Sequence, residues 1–248
     1  MSGHSKWSSI KHKKGAADAK RGQLFSKLSR AIIIAAREGA DPDANATLAA
    51  AIQKARDNSM PKDNIERAIA RGSGAGADAE AYETVTYEGY GPGGVAVLVE
   101  AVTDNRNRTA ADIRHIFAKS EGNLGGSGAV VWLFVRKGVI LVPDTEDEDE
   151  VMLAAADAGA DDVQLEGSSY QVTTPPDELA AVRAALEAAG VGVDSAELTM
   201  LPRTTVGIED ESAARKLLRL MDALEENDDV QDVYSNFDIP EGILEAVA

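Results

Sequence analysis

The sequence predicts an α+β multidomain protein: an N-terminal three-helix bundle followed by two ferredoxin-like α/β domains, the third domain inserted into the second. Three observations carry this. Apolar periodicity changes from helical to alternating near residues 73–77, and the sign of the charge changes at the same place. Residues 138–201 spell a complete β-α-β-β-α-β unit, the split ferredoxin-like order. The β-β-α-β segment before that unit lacks a second helix, and residues 204–238 can supply one. The predicted boundaries are 1–78 for a basic helical domain with its linker, 79–136 plus 203–240 for the α/β domain, and 137–202 for the insertion.

Helical spacing predicts a first helix over Ala16 to Glu38, with Leu24, Phe25, Leu28, Ile32 and Ala35 on one face. Lys20, Lys27, Arg30 and Arg37 form a stripe opposite, while Arg21, Ile33 and Ile34 break the two-faced pattern and suggest a second contact. Gly39 and Pro42 end the helix. A second helix over Ala44 to Asp57 carries Leu48, Ile52 and Ala55. Pro61 is suited to open a third, with Ile65, Ala68 and Ile69 inward and Gly72 as its stop. Ser73 to Ala77 has the composition of a flexible linker.

Beyond it, Glu83 to Glu88 and Val95 to Val102 read as strands joined by a glycine-rich turn. Thr109-Ala110-Ala111-Asp112 resembles a capping box at the start of a helix whose apolar stripe is Ile113, Ile116 and Phe117. Gly122 to Gly128 reads as a mobile glycine-rich connection or a binding loop, and Ala129 to Val135 as a buried strand. In the insertion, strands are expected at 139–142, 163–166, 170–173 and 196–201, with helices at 149–158 and 176–189. Thr204 to Ile208, Ser212 to Glu225 and Val230 to Phe237 read as strand, helix and strand.

The formal net charge of −17 argues at first against a nucleic-acid ligand. Its distribution reverses that inference. Residues 1–72 hold 14 Lys/Arg against 7 Asp/Glu, and residues 73–248 hold 11 against 35, so a +7 segment is joined to a −24 segment. Such asymmetry marks a polyanion-binding module attached to other domains. Cysteine is absent, which excludes disulfides and thiolate metal sites and fits a reducing cytoplasm. The first residues lack the apolar core of a secretory signal, and no apolar run approaches a membrane span. A cytoplasmic protein without a membrane partner is expected.

Catalytic motifs fail on context. Gly89, Gly91 and Gly94 match the spacing of a dinucleotide-binding fingerprint, but a strand follows where a helix N-terminus must receive the pyrophosphate. A turn using positive-φ glycines is the better reading. The loop 122–128 lacks the lysine of a phosphate-binding loop, Gly126-Ser127-Gly128 is no nucleophile elbow, and the histidines are limited to His4, His12 and His115. The run Glu146 to Glu150 suits a helix start and lacks the ligand spacing of a calcium loop. No enzyme activity, cofactor or metal is expected.

The segment Ser5 to Lys14 is the informative one. Lys6, Lys11, Lys13 and Lys14 can neutralise phosphates, Trp7 offers a face for a base, and His12 lies among the lysines. Lys20, Arg21, Lys27 and Arg30 continue the basic surface, and Arg106 and Arg108 within Asn105 to Thr109 form a smaller basic site. The alternative is that Trp7 and Ile10 dock on the bundle while the lysines stay solvated.

These stretches resemble the YebC/PmpR family. The similarity rests on Gly3-His4-Ser5-Lys6-Trp7, Ile10-Lys11-His12-Lys13, Asp18 to Gly22, Met60 to Ile69, Tyr87 to Gly94, Thr103 to Thr109 and Gly122 to Gly125, in the family's order. Lys13 stands where the family commonly has arginine, and Gly126 where it has a polar residue. The resemblance implies three domains, the third inserted into the second. It also implies a cytoplasmic DNA-binding transcriptional regulator, with mitochondrial relatives acting as translational activators and ribosome-associated roles proposed for bacterial members. DNA and ribosomal RNA are therefore both expected ligands, with a protein partner for the acidic domains. The rival from another class is an acidic adaptor whose basic face docks its own or another protein's acidic domain.

Overall fold

The computed structural model describes residues 18–75, 82–167 and 169–247. The N-terminal region is helical: α1 (Asp18–Ala36), α2 (Ala46–Asp57) and α3 (Lys62–Ala70), followed by a wide helical turn over Arg71–Ala75. Leu28, Ile32, Leu48, Ile52, Ala55, Ile65 and Ala68 make its core, and Ile33 joins them as the second contact that the broken pattern suggests. Leu24 departs from expectation. At 37 % exposed it lies outside that core, near the N-terminal end of α1.

Asn45 fastens the first helical junction. Its side-chain oxygen caps α2 by accepting from Leu48 N at 3.0 Å, and its amide donates to the carbonyls of Ala35 and Gly39 at 2.8 Å. One residue thus satisfies orphan groups at the end of one helix and the start of the next. Gly72 marks the closest approach in the bundle. A Cβ there would lie 2.3 Å from the Ile33 carbonyl oxygen, so only glycine fits.

The α/β part of the same compact unit contains β1 (Glu83–Tyr90), β2 (Ala96–Thr103), α4 (Arg106–Lys119) and β3 (Asn123–Leu124). After the insertion it continues with β8 (Val206–Gly207), α7 (Glu211–Glu225), β9 (Val230–Ser235), β10 (Phe237–Asp238) and α8 (Glu241–Val247). Its sheet has the order β3-β1-β2-β9 and is antiparallel throughout. Val97 and Val99 of β2, Ile113 and Phe117 of α4, and Leu217, Leu220, Met221 and Leu224 of α7 fill one core. Leu244 of α8, a helix that the sequence reading did not include, completes it.

Three expectations are corrected here. The strand expected over 129–135 is a turn and a short 3-10 helix (Val131–Leu133), and strand structure begins at Phe134. The strand expected over 230–237 is interrupted at Asn236. That side chain accepts from Ala96 N at 2.8 Å and donates to the Thr204 carbonyl at 3.1 Å, so it bonds across the ladder and ends it. Beyond this break β10 pairs with the short β8, apart from the main sheet. In the β1–β2 turn, positive φ belongs to Gly93 and Gly94; Gly89 instead allows close approach, since a Cβ there would meet the Asn123 oxygen and Phe117 at 2.7 Å.

Residues 134–201 form the second compact unit. It comprises β4 (Phe134–Pro143), α5 (Glu148–Asp157), β5 (Asp162–Glu166), β6 (Ser169–Thr174), α6 (Leu179–Ala188) and β7 (Ser195–Pro202), with β7 reaching its boundary. Strand order β5-β6-β4-β7 is the ferredoxin-like permutation read from the sequence. Ile140, Val142, Val151, Ala155, Val172, Val182 and Leu186 form its core. The insertion leaves and rejoins the first unit at adjacent points, because Arg203 N donates to the Leu133 carbonyl at 2.7 Å.

Candidate nucleic-acid interface

Lys6, Trp7, Lys11, His12, Lys13 and Lys14 lie outside the described residues, and Lys20 lies within the first turn of α1. The other expected residues fall into two groups. Arg21 of α1 and Arg106 at the start of α4 are exposed. Lys27, Arg30 and Arg108 are drawn to one acidic feature, the turn between α7 and β9.

From Asp222 to Asp232 the chain carries Asp222, Glu225, Glu226, Asp228, Asp229 and Asp232, with no basic residue. α7 also has no basic side chain in its last turn, so the carbonyls at its negative dipole end lack a cation of their own. α1 supplies it. Gln23, Lys27 and Arg30, at i, i+4 and i+7, share a helical face and all turn toward α7. The Gln23 amide donates to the Glu226 carbonyl at 2.6 Å and to Asp228 Oδ1 at 3.0 Å. Lys27 donates to the Glu225 carbonyl, and Arg30 to the Asp228 carbonyl. From α2, Lys54 pairs with Asp232 at 3.0 Å. The Arg30 guanidinium also lies 5.8 Å from the centroid of the Tyr82 ring.

Asp229 joins the two basic sites that the sequence places about eighty residues apart. Its carboxylate is 2.8 Å from Arg108 Nη2 and 3.7 Å from Arg30 Nη1. It accepts from the Thr109 hydroxyl at 2.7 Å and from Thr103 at 3.3 Å. Burial pushes this carboxyl up, but the hydrogen bonds from Arg108 and Thr109 and the charges of Arg108 and Arg30 outweigh it and hold it below the usual aspartate range. Thr109 is therefore a buried anchor for Asp229 rather than the expected cap. Asn105 is the N-cap of α4 and accepts from Arg108 N at 3.1 Å. Arg108 makes a further bridge to Asp104 at 2.8 Å, so its guanidinium is held from two sides.

A second constellation, centred on Glu88, was not apparent from sequence patterning. Glu88 is 5 % exposed. Its carboxylate accepts the backbone N–H groups of Gly128, Val130 and Val131 at 2.7, 2.7 and 2.8 Å. Burial alone would push its pKa up, yet the three amides outweigh burial and leave it lowered. The Tyr90 hydroxyl donates to the Ala129 carbonyl at 3.1 Å, and Gly125 N to the Glu88 carbonyl at 2.7 Å. The glycine loop, expected as a mobile connection, is thus tied to β1 along its length. It leads into Trp132, a residue 64 % exposed.

Among the described residues, no group of three or more His, Asp or Glu side chains is placed to hold a metal, and no helix is long and apolar enough to cross a membrane.

The fold and these contacts define a multidomain α+β protein whose cationic side chains are carried mainly on a helical module joined to an acidic α/β body. Residues 5–75 match the TACO1/YebC protein N-terminal domain, and residues 82–237 match the TACO1/YebC second and third domain. The chain belongs to the TACO1/YebC family. It is 63 % identical over 250 residues to a probable transcriptional regulatory protein of Rubrobacter xylanophilus, covering all of both chains. A protein with the same description from Syntrophobacter fumaroxidans is 56 % identical, also over all of both chains. A conserved hypothetical protein of Aquifex aeolicus, solved by crystallography, is 50 % identical with a TM-score of 0.81, covering 90 % of this chain and 93 % of that one.

Proposed function

We propose that this chain is a nucleic-acid-binding regulator of gene expression that acts in the cytoplasm as a DNA-binding transcriptional regulator. The observation that carries this reading is the charge partition: a +7 segment at residues 1–72 within a chain of net charge −17. The description of the curated relatives as probable transcriptional regulatory proteins supports it. The domain boundaries 1–78, 79–136 plus 203–240, and 137–202 belong to the same proposal. So do the contacts to nucleic acid by Lys6, Trp7, Lys11, His12, Lys13, Lys14, Lys20, Arg21, Lys27, Arg30, Arg106 and Arg108.

Lysine predominates in the densest basic stretch, and lysine serves phosphates rather than bidentate base readout. Weak sequence preference follows. A second reading is favoured by Trp7 and His12, which can stack on the unpaired bases that ribosomal RNA supplies. A competition assay with the full chain decides between them, using a promoter fragment, scrambled DNA of equal length, and ribosomal RNA. A promoter preference of about a thousandfold over scrambled DNA establishes operator recognition. Ribosomal RNA outcompeting both DNAs establishes the ribosomal reading. Failure of all three to bind overturns the nucleic-acid function and leaves the acidic adaptor.

A further inference from the structure

We infer that the α7–β9 turn is an intramolecular competitor for nucleic acid: it occupies the cationic stripe of α1 and must be displaced before Lys27 and Arg30 can reach phosphates. The inference rests on the proposed nucleic-acid function and adds its regulation. Gln23, Lys27 and Arg30 lie on one helical face, and each finds an acceptor in the turn, either a helix-terminal carbonyl or a carboxylate. Helix-end carbonyls and closely spaced carboxylates offer the same kind of partner as a run of phosphates. Lys54 extends the contact to Asp232.

The junction is also built to open. The apolar core of the bundle and that of the α/β body are separate clusters. Gln23, Lys27, Arg30 and Lys54 join the two through polar bonds, and polar contacts at a half-exposed junction exchange readily for water or another anion. A closed chain would retain exposed Arg21 for first encounter and would commit Lys27 and Arg30 only to a ligand that outcompetes the turn.

Two measurements on the full chain test this. The first compares binding of a short mixed-sequence DNA duplex by the parent, by Asp228→Asn/Asp232→Asn, and by the charge-matched control Asp149→Asn/Asp177→Asn. Asp228, Asp149 and Asp177 are exposed and Asp232 is half-buried, so these changes spare the cores. The turn variant is expected to bind about three- to tenfold tighter than both others, as loss of the Lys54–Asp232 ion pair and of the charge behind the Gln23–Asp228 hydrogen bond allows. Equal gains in the turn variant and control mean that net charge alone matters, which overturns the inference. The second uses zero-length carbodiimide coupling of Lys54 to Asp232, 3.0 Å apart in the parent. Saturating duplex should suppress this cross-link. Duplex binding with the cross-link undiminished overturns the inference while the nucleic-acid function stands; absence of duplex binding in every chain overturns the inference together with the DNA-binding reading.

Discussion

Replacing Asp229 by alanine should destabilise the first compact unit far more than any neighbouring acidic substitution. The Asp229 side chain is 10 % exposed, and its carboxylate accepts bonds from Arg108, Thr109 and Thr103. Thr109 has fallback acceptors in Thr103 Oγ1 at 2.8 Å and the Asn105 carbonyl at 3.2 Å, so it is not orphaned. Arg108 keeps Asp104, and its side chain, 47 % exposed, can rehydrate. What is lost is the charge-assisted bonding to a buried carboxylate, partly offset by the desolvation that the carboxylate no longer suffers. With each charged hydrogen bond worth about 1.5–3 kcal/mol and a discount for solvent at Arg108, the net cost is about 2–4 kcal/mol.

Urea unfolding followed by far-UV circular dichroism measures it. At slopes of about 1–3 kcal/mol/M the midpoint should fall by roughly 1 M or more. Asp228→Ala, at an exposed position of the same turn, should change stability by less than about 0.5 kcal/mol. Acid gives an independent check. Because Asp229 is lowered in the fold, its stabilisation is fully present above the unfolded value of 3.8 and is lost as pH falls through the folded value. The gap between the parent and Asp229→Asn should therefore close below about pH 3.8. A neutral-pH midpoint like that of Asp228→Ala, or a gap that persists unchanged into strong acid, would refute the reasoning.

Glu88→Gln replaces an oxygen that faces backbone N–H groups with another donor and should cost about 1–3 kcal/mol. In a Trp7→Phe background, Trp132 fluorescence should report loosening of the loop at neutral pH. The Glu88 carboxyl is also lowered by its amides, so its stabilisation is present above 4.5 and disappears as the pH falls through its folded value. Gly72→Ala places a methyl 2.3 Å from the Ile33 oxygen and should destabilise the bundle by about 1–3 kcal/mol, read as a lowered thermal midpoint. Removing charge at Lys11, Lys13 and Lys14 should leave that midpoint unchanged while reducing the salt slope of nucleic-acid binding by about 0.7–0.9 per lost phosphate contact.

Much of this architecture is legible because the relevant signals are local. Leu28, Ile32, Leu48 and Ile52 announce their faces by spacing alone, and the permutation of residues 138–201 follows from element order. Thr109 misleads because Thr-x-x-Asp is an acceptable cap in isolation; the competing cap, Asn105, comes one turn earlier and frees Thr109 for burial against Asp229. Residues 129–135 mislead because a short apolar run reads equally as a strand. Only the distant Glu88 carboxylate explains why the amides of Val130 and Val131 serve a turn instead of a ladder. Contacts between Gln23 and Asp228 span about two hundred residues, and no periodicity encodes them. Their local trace is a helix, α7, that ends without a cation, with six carboxylates between Asp222 in its last turn and Asp232 beyond it.

The same contacts alter what salt should do. For an uncovered cationic helix, raising salt weakens phosphate binding in proportion to the counterions released. Here Lys27 and Arg30 already have anionic or carbonyl partners, and Lys54 has Asp232. Screening weakens those internal contacts too, so opening becomes easier as binding becomes harder. The observed slope is then the difference between the two effects, shallower than the number of cations in contact would give. In Asp228→Asn/Asp232→Asn the opposing contribution is reduced, so that variant should bind more tightly at low salt and lose affinity more steeply as salt rises. Parallel salt plots for the parent and the variant would mean that the turn does not compete for the α1 face.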